Sequence, residues 1–268
     1  MSKTDRNDPP GEVAELLAAF PSYFRVELAS GDEQREELYR LRYEVYCREF
    51  GFEREADCPG GRETDAFDGV AWHALIRHLA SGRAAGSVRI IEQTLDTDGN
   101  LPLLAFCRES LDAAWRRLLE RGETSERICE VSRLAVPPAF RRRSGEDAPF
   151  GRPVAPRPKE ADARTFPLLT AALAATAVAL AFDRLSRDQA LMMMEPRLHR
   201  SLRRLGLDME PIGRLIHYHG RRAPYRIGRR EALASVAASP VLRPLHRQAV
   251  EALQPQPPAG RDTAADRC

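Results

Sequence analysis

Hydrophobic and polar positions along the chain follow two periods, and each change of period marks a new element. From Tyr23 to Leu28 apolar and polar residues alternate, which predicts a strand. From Asp32 to about Phe50 apolar residues recur every three or four positions, which predicts a helix capped by Asp32. The helical stripe comprises Leu38, Leu41, Val45 and, on its flank, Tyr46.

The same periods predict the other elements. Further strands are expected at 70–79, 87–94, 129–136, 189–195, 212–219 and 224–227. Further helices are expected at 11–20, 109–121, 166–182, 198–205 and 231–253, the second with Leu111, Ala114, Trp115 and Leu118 facing inward and the last interrupted near Pro240. Residues 166–182 are mostly Ala and Thr and short for a membrane span, so we expect a buried or half-buried helix.

This order of elements predicts an α/β (α+β) protein built around one mixed sheet, not an alternating doubly wound fold. The strands at 70–79 and 87–94 are expected to form a hairpin across residues 81–86. We expect an arm with a short helix at 1–20, a single domain at 21–253 and a disordered polar tail at 254–268.

The predicted strand at 129–136 carries two charged side chains, Glu130 and Arg133, between apolar and β-branched residues. Burying a charge is costly unless the charge is paired or used, so two interpretations are open: a structural ion pair, or the floor of an active site. Residues 130 and 133 point to opposite faces of a regular strand. A β-bulge, which is frequent beside active sites, would change that.

Composition narrows the class of protein. Forty-one basic and 39 acidic residues give a net charge of +2, which does not call for a nucleic-acid partner. The five cysteines are scattered without a Cys-x-x-Cys pair, which disfavours a disulfide scaffold or a zinc site. Cys47 and Cys129 lie in apolar stretches and look like core thiols, and the polar first ten residues lack the apolar segment of a signal peptide. A reducing cytoplasm fits these features best.

Five groups of residues occur in the order and spacing of a known family. They are Arg42 with Tyr46, Phe52, the acidic run Glu63-x-Asp65-x-x-Asp68, Arg89 in Gly-Ser-Val-Arg, and Glu130-x-Ser132-Arg133. Together they resemble the GNAT superfamily of N-acyltransferases, in the branch of acyl-homoserine lactone synthases and long-chain N-acyl amino acid synthases. Within that branch the chain is most similar to the PEP-CTERM/exosortase system-associated acyltransferases. The resemblance runs from about residue 23 to residue 227.

The resemblance implies a GNAT-like acyl-CoA N-acyltransferase fold and a role for each matched residue. Glu130, with Ser132 and Arg133, would form the catalytic group, and Glu130 would accept the proton of the amine, directly or through water. The acceptor pocket would be shaped by Arg42, Tyr46, Phe52, Asp65, Asp68 and Arg89. His217 and His219 are interpreted as structural or surface residues and no metal is expected, since a third ligand is missing. Met192 to Met194 would form a core strand that lines an acyl tunnel.

The chain departs from the lactone-synthase pattern at two positions. Phe52 stands where those enzymes usually have Trp, and a long arginine-rich loop follows Val136; both disfavour a homoserine lactone product. The acetyltransferase pyrophosphate loop is also absent after Val136, which favours an acyl carrier protein over coenzyme A as donor.

Basic residues after the central strand have two open interpretations. Arg141, Arg142 and Arg143 form either ordinary solvated surface or a dock for an acidic carrier protein, joined by Arg200, Arg203, Arg204, Arg221 and Arg222. The sequence thus predicts an enzyme that moves a medium or long acyl chain from a carrier thioester to a small amine. Its expected contacts are the carrier protein, the amine and, through the acyl chain or product, the membrane periphery. The alternatives are a catalytically silent module that binds a lipid or carrier protein, and a lactone-type signal synthase.

Overall fold

The computed structural model describes residues 11–93, 101–121, 127–141 and 165–254. In these residues the strands are β1 Phe24–Leu28, β2 Ala71–His78, β3 Ala84–Glu92, β4 Ile128–Ala135, β5 Gln189–Met194, β6 Glu210–Pro211, β7 Ile216–His217 and β8 Arg221–Gly228. The helices are α1 Gly11–Tyr23, α2 Asp32–Tyr43, α3 Pro102–Cys107, α4 Ala113–Arg121, α5 Leu169–Val178, α6 Pro196–Arg204, α7 Arg229–Ala238 and α8 Leu242–Leu253. The fold is therefore a mixed α/β fold around one central sheet, as the sequence predicts.

The sheet runs in the order β1-β2-β3-β4-β5-β8-β6, with β7 added to β8. All neighbouring strands are antiparallel except β4 and β5, which are parallel. The pairing of β4 with β5 stops at Val131 and Met192, although β4 continues to Ala135 and β5 to Met194. The two central strands therefore part in the middle of the sheet, and this opening positions the site.

One face of the sheet carries the larger core. Val88 and Ile90 of β3 and Cys129 of β4 pack there with residues of α1, α5 and α8. The helical stretch Phe166–Arg184, which contains α5, is apolar and long enough to cross a membrane. Most of it is buried in this core, which confirms the expected core helix.

The other face carries a smaller core and the charged groups. Ile91 and Ile128 pack there against residues of α3 and α4, among them Leu103 and Leu119. Because side chains alternate along a strand, Glu130 lies on the same face as Ile128. The charges predicted on β4 therefore face the smaller core, not the large one.

Three elements differ from the sequence prediction. Helix α3 was not predicted, and the helix expected from residue 109 begins at Ala113, because a 3₁₀ turn at Arg108–Ser110 precedes it and Leu111 pairs with Gly213 as a β-bridge. Ala114 is exposed, so its inward placement was wrong. Of the strand expected at 212–219, only Ile216–His217 forms.

Smaller differences concern the ends of elements. Gly31, not Asp32, holds the N-cap position of α2, and the Gln34 side chain accepts hydrogen bonds from the Ser30 and Gly31 N–H groups. After Tyr43 the helix continues as a π-helical turn, Glu44–Glu49. Our expectations for residues 1–10, the turn at 96–100, most of the loop at 141–162 and the tail beyond residue 254 fall outside the described residues.

Candidate active site

A β-bulge at Arg133 shapes the candidate site. The step from Ser87 to Arg89 on β3 faces the longer step from Ser132 to Ala135 on β4, so β4 carries one extra residue. Arg133 takes a φ of 50°, a conformation that costs a non-glycine residue about 1–3 kcal/mol unless its surroundings hold it. The bulge rotates Arg133 to the face that carries Glu130, which is the condition that the sequence analysis named for the two side chains to share a face.

Contacts on both sides hold the bulge in place. The Arg133 guanidinium lies 3.0 Å from both Glu63 and Asp65. The Tyr46 hydroxyl donates a hydrogen bond of 3.0 Å to the backbone carbonyl of Leu134, and the Arg133 guanidinium carbon lies 5.6 Å from the centre of the Tyr46 ring. The π-helical turn that carries Tyr46 is therefore fixed to the strand at the point where the strand bulges.

Glu130 is 3% exposed and accepts a hydrogen bond of 2.7 Å from the backbone N–H of Leu103. In the described part of the chain its carboxylate forms an ion pair with neither Arg89 nor Arg133. Burial raises the pKa of Glu130 to about 7, although the Leu103 N–H, Arg89 and Arg133 act to lower it. The structural ion-pair interpretation of Glu130 is therefore wrong, and its carboxylate is left able to exchange a proton near neutral pH.

Three arginines and three carboxylates form a buried ion network beside Glu130. Arg42 contacts Glu63 at 2.5 Å and Asp68 at 2.6 and 3.0 Å. Arg89 contacts Asp65 at 2.6 Å and Asp68 at 2.8 Å. The network is closed by the Arg133 contacts described above.

The pKa values of the two aspartates of this network, Asp65 and Asp68, are lowered. Burial alone would raise the pKa values of Asp65 and Asp68, but the hydrogen bond from Arg89 lowers that of Asp65, and the one from Arg42 lowers that of Asp68. Arg89 also donates from Nε to the Ser132 hydroxyl at 3.0 Å. The network therefore acts as a fixed support, while Glu130 beside it has the pKa of an acid–base group.

Glu130 opens onto a small cavity of about 60 Å³, here called the polar cavity. Its wall includes Tyr46, Phe52, Glu53, Phe106, Tyr218 and His219. The rings of Tyr46 and Phe52 are stacked at 6.4 Å, and Phe52 also contacts the imidazole of His219 at 5.6 Å. Aromatic rings thus form part of the wall of the cavity onto which Glu130 opens.

A second, larger cavity of about 330 Å³, here called the apolar cavity, lies where β4 and β5 part. One wall is formed by small residues of α5 and the turn after it, Ala174, Ala177 and Ala181. The opposite walls are formed by Met192, Met194, Leu198, Leu202, Leu207 and Met209. The methionine strand therefore lines a cavity, as the sequence analysis expected.

The two cavities meet at the bulge. Both are lined by Tyr46, Phe52, Val131, Ser132, Arg133, Met193 and Arg222. Glu130 lines the polar cavity only, directly beside this shared wall. The arrangement brings an acid–base group, a small polar space and a long apolar space to one point.

The structure brings together the predicted site residues on the catalytic strand, the acidic run and the first long helix. Arg141 lies at the wall of the apolar cavity, where it forms an ion pair with Glu49 and donates to the Val136 carbonyl at 2.7 Å. Arg142 and Arg143 fall outside the described residues. Of the two histidines interpreted as structural or surface residues, His217 is exposed, whereas His219 is half-buried and lines the polar cavity.

Sequence reasoning missed several residues of the polar cavity, above all Leu103, whose N–H holds Glu130. Pro102 at the first helical position was a usable signal, because proline favours that position. Arg222 was considered only as surface charge, yet it lines both cavities. Within the described residues, no group of three His, Cys, Asp or Glu side chains is arranged to hold a metal ion.

Comparison with known proteins gives one family match and several structural matches. Residues 41–148 match the acetyltransferase (GNAT) domain. No curated protein matches the chain by sequence. FeeM, an N-acyl amino acid synthase from uncultured soil microbes, is 17% identical with a TM-score of 0.50, covering 82% of this chain and 97% of its own.

Two lactone synthases are also similar in structure. The AHL synthase LasI is 17% identical with a TM-score of 0.53, covering 81% of this chain and 96% of its own. The CoA-dependent acyl-homoserine lactone synthase BjaI, solved with SAM and isopentyl-CoA, is 18% identical with a TM-score of 0.51, covering 84% of this chain and 98% of its own. At such identities the likeness shows the fold. Residues 41–148 are therefore similar to the acetyltransferase (GNAT) domain, and the chain shares its fold with FeeM, LasI and BjaI.

Proposed function

We propose that the protein transfers a medium or long fatty acyl chain from an acyl carrier protein thioester to the amine of an amino acid or related small molecule. The observation that carries the proposal is Glu130, a buried carboxylate with a pKa raised to about 7 by burial, at the junction of the polar and apolar cavities. A proton acceptor with a pKa near the working pH is what aminolysis of a thioester requires.

The proposed reaction follows from the two cavities. The neutral amine occupies the polar cavity, its free electron pair attacks the thioester carbonyl carbon, and Glu130 accepts a proton from the nitrogen as the bond forms. A C–N bond forms and the C–S bond breaks, and the proton passes from Glu130 to the leaving thiolate. Holding both reactants at the shared wall supplies the proximity that makes the attack fast.

Ser132 and Arg133 have separate parts in this proposal. The Ser132 hydroxyl accepts a hydrogen bond from Arg89, so its own proton remains to be donated to the developing oxyanion. Arg133 is a positioning residue: its ion pairs with Glu63 and Asp65 hold the bulge. Tyr46 and Phe52 form the aromatic wall between the two substrates.

The apolar cavity is the proposed site of the acyl chain, because its lining of alanine, leucine and methionine matches a flexible hydrocarbon. We expect Ala177→Phe to fill the cavity beside α5 and to lower kcat/KM for a long-chain donor about tenfold or more. Activity with an acetyl or butyryl donor should change little, because a short chain does not reach the new ring. Steady-state rates with donors of graded length measure this.

The short-chain donors are the internal control for this substitution. Equal losses with all chain lengths would indicate a damaged fold. Unchanged rates with long chains would place the acyl chain outside this cavity.

For the donor, we propose a carrier protein that docks on Arg141, Arg142 and Arg143, which follow directly after the catalytic strand. Replacing all three with Glu should raise the KM for a carrier-bound donor severalfold or more, while turnover at saturation changes little. Charges at the edge of an interface act mainly on association and are screened by salt, so added salt should weaken the wild type in the same direction. Initial rates at graded donor and salt concentrations measure both effects.

Two controls make this result specific. Arg116 and Arg117 on the exposed side of α4, replaced with Glu, provide the same kind of charge change on another element. The matching acyl-CoA provides a donor without an acidic protein. A KM that stays the same in the triple variant, or a wild type that uses acyl-CoA as efficiently, would contradict carrier docking.

We further propose that the reaction takes place in the cytoplasm, with the acyl chain or the product touching the membrane periphery. The four described cysteines, Cys47, Cys58, Cys107 and Cys129, are free and buried, which fits a reducing compartment. The resemblance to the exosortase-associated branch adds a prediction about genes: exosortase genes are expected nearby. Such genes would support the branch but would not identify the substrate.

The experiment that tests the proposed function is a product screen. The protein is incubated with acyl carrier thioesters of several chain lengths and a pool of amino acids and small amines, and products are sought by mass spectrometry. We expect an N-acyl product of an amino acid. Tight binding of the thioester with no product would favour a silent module, and a lactone product from added SAM would favour a signal synthase.

A further inference from the structure

We propose that Arg222 binds the carboxylate of the acceptor, so that the protein acylates free amino acids rather than simple amines or amino acid amides. This inference rests on the proposed function and names the chemical class of its acceptor. Arg222 is half-buried on β8 and lines both cavities, at the wall where they meet.

The guanidinium of Arg222 is held in place but not neutralised. Its Nε donates to the backbone carbonyl of His219 at 3.2 Å, and its central carbon lies 5.2 Å from the centre of the Phe52 ring. These contacts fix the plane of the guanidinium through its Nε and its face, and they do not use its two terminal nitrogens. Two guanidinium nitrogens can bind a carboxylate through two parallel hydrogen bonds.

Arg222 differs in this respect from the other arginines that line the cavities, Arg133 and Arg141. Arg133 is paired with Glu63 and Asp65, and Arg141 with Glu49. Among the described residues, no carboxylate lies within ion-pair distance of Arg222. Within the described residues, the cavity wall therefore holds one positively charged group without a carboxylate partner, and a ligand can supply that partner.

The polar cavity is also lined by two acidic side chains, Glu53 and Glu130. Glu53 lies 3.5 Å from the imidazole of His219, whose pKa is lowered first by its burial. Glu53 and Glu130 line the same cavity, so the carboxylate of a bound ligand would be repelled there unless a cation paired with it. An amino acid satisfies both ends of the cavity, because its amine approaches Glu130 and its carboxylate approaches Arg222.

The test compares each amino acid with its own amide. Wild type and Arg222→Gln are assayed with L-leucine and L-leucinamide, and with L-phenylalanine and L-phenylalaninamide, using one carrier thioester donor. We expect Arg222→Gln to lower kcat/KM for the free acids about tenfold to a hundredfold, the effect of losing a charge-assisted bidentate pair. Rates with the amides should change less than about twofold.

Two variants sharpen the comparison. Arg230→Gln removes the same charge from an exposed position of α7 that lines neither cavity, and it should leave both acceptor classes unaffected. Arg222→Lys keeps the charge but removes the two parallel donors of the guanidinium, so it should lower kcat/KM for the free acids by an intermediate amount. Retained activity with the amides shows directly that the Arg222→Gln protein is folded.

The failures of the two proposals are distinguishable. If Arg222→Gln lowers the rates of acids and amides equally, or raises only the donor KM, Arg222 serves the donor and this inference is overturned while N-acylation stands. The inference about Arg222 is also overturned, and N-acylation again stands, if the wild type prefers amides over free acids as strongly as the variant does. If the wild type acylates no amine at all, the proposed function fails and this inference fails with it.

Discussion

Replacing Glu130 with glutamine should lower the rate of N-acylation about a hundredfold or more, the usual contribution of a positioned base. Glutamine keeps the shape of the side chain, and its carbonyl oxygen can still accept the hydrogen bond from the Leu103 N–H. The substitution therefore removes the proton acceptor without removing the contact that holds it. Single-turnover rates with a saturating donor measure the effect on the chemical step.

Folding provides the control for this variant. Burial raises the pKa of Glu130 to about 7, so the native state binds the proton more tightly than the unfolded chain does. Stability contributed by the protonated form is present at low pH and is lost as the pH rises toward 7. Because glutamine has no charge to bury, Glu130→Gln should be at least as stable as the wild type at pH 8. A stable variant with near-normal rates would remove Glu130 from the mechanism.

Replacing Asp68 with alanine should have the largest effect on stability, a loss of about 3–5 kcal/mol, because it leaves buried arginines without a partner. Asp68 is 4% exposed and accepts hydrogen bonds from Arg42 at 2.6 and 3.0 Å, from Arg89 at 2.8 Å and from the Asp65 N–H at 2.8 Å. Such a loss is a large fraction of the stability of a typical domain. Urea denaturation at pH 7 measures the change in the free energy of unfolding.

Asp57→Ala is the matched control. Asp57 also receives two hydrogen bonds from one arginine, Arg54, at 2.7 and 2.9 Å, but the two side chains are 51% and 82% exposed. Its loss should change the free energy of unfolding far less than the loss of Asp68, because solvent screens an exposed ion pair. Equal effects of the two substitutions would show that the buried network does not support the site.

The pH dependence gives Asp68 a second signature. The hydrogen bond from Arg42 lowers the pKa of Asp68 against the effect of burial, so its contribution to stability is present above the unfolded pKa of about 4. That contribution is lost as the pH falls through the lowered native value. The difference between the wild type and Asp68→Ala should therefore shrink as the solution is acidified below about pH 4.

The sequence predicted the parts of the fold that depend on local pattern. The strand around Glu130 and the buried alanine-rich helix are stretches of mostly apolar residues, and the structure contains both close to the expected bounds. The resemblance grouped Arg42, Asp65, Asp68 and Arg89 around one pocket. In the structure these residues do pair with one another, but they lie behind the site and line neither cavity.

Other features depend on the partner strand or on backbone contacts that a pattern does not record. The bulge at Arg133 is defined by the pairing of β4 with β3. The sequence therefore indicated what a bulge would change, but not whether or where a bulge forms. The Leu103 N–H donates from backbone, which leaves no side-chain signal. Gly213 approaches Ser110 so closely that a Cβ would lie 2.0 Å from its carbonyl oxygen, and this contact interrupts the long strand that periodicity predicted.

Arg222 shows a different limit of sequence reasoning. Its neighbours along the chain are Arg221 and Ala223, so it appeared as one of several surface arginines. Only the pairing of β8 with β5 brings it to the wall shared by the two cavities. An unpaired charge inside a cavity is a property of the fold, and the sequence carries no separate mark of it.

The most direct test of the central claim, that Glu130 is the base, is the pH profile of kcat/KM for N-acylation with two acceptors whose amines differ in pKa. For the wild type the account predicts a limb that rises with pH to a bend near 7, at the same pH for both acceptors, because Glu130 must lose its proton before it can accept one. Glu130→Gln should lack this limb. A further bend that follows the pKa of the acceptor amine belongs to the acceptor. A wild type without the bend near 7, or a bend near 7 that persists in Glu130→Gln, would contradict the account.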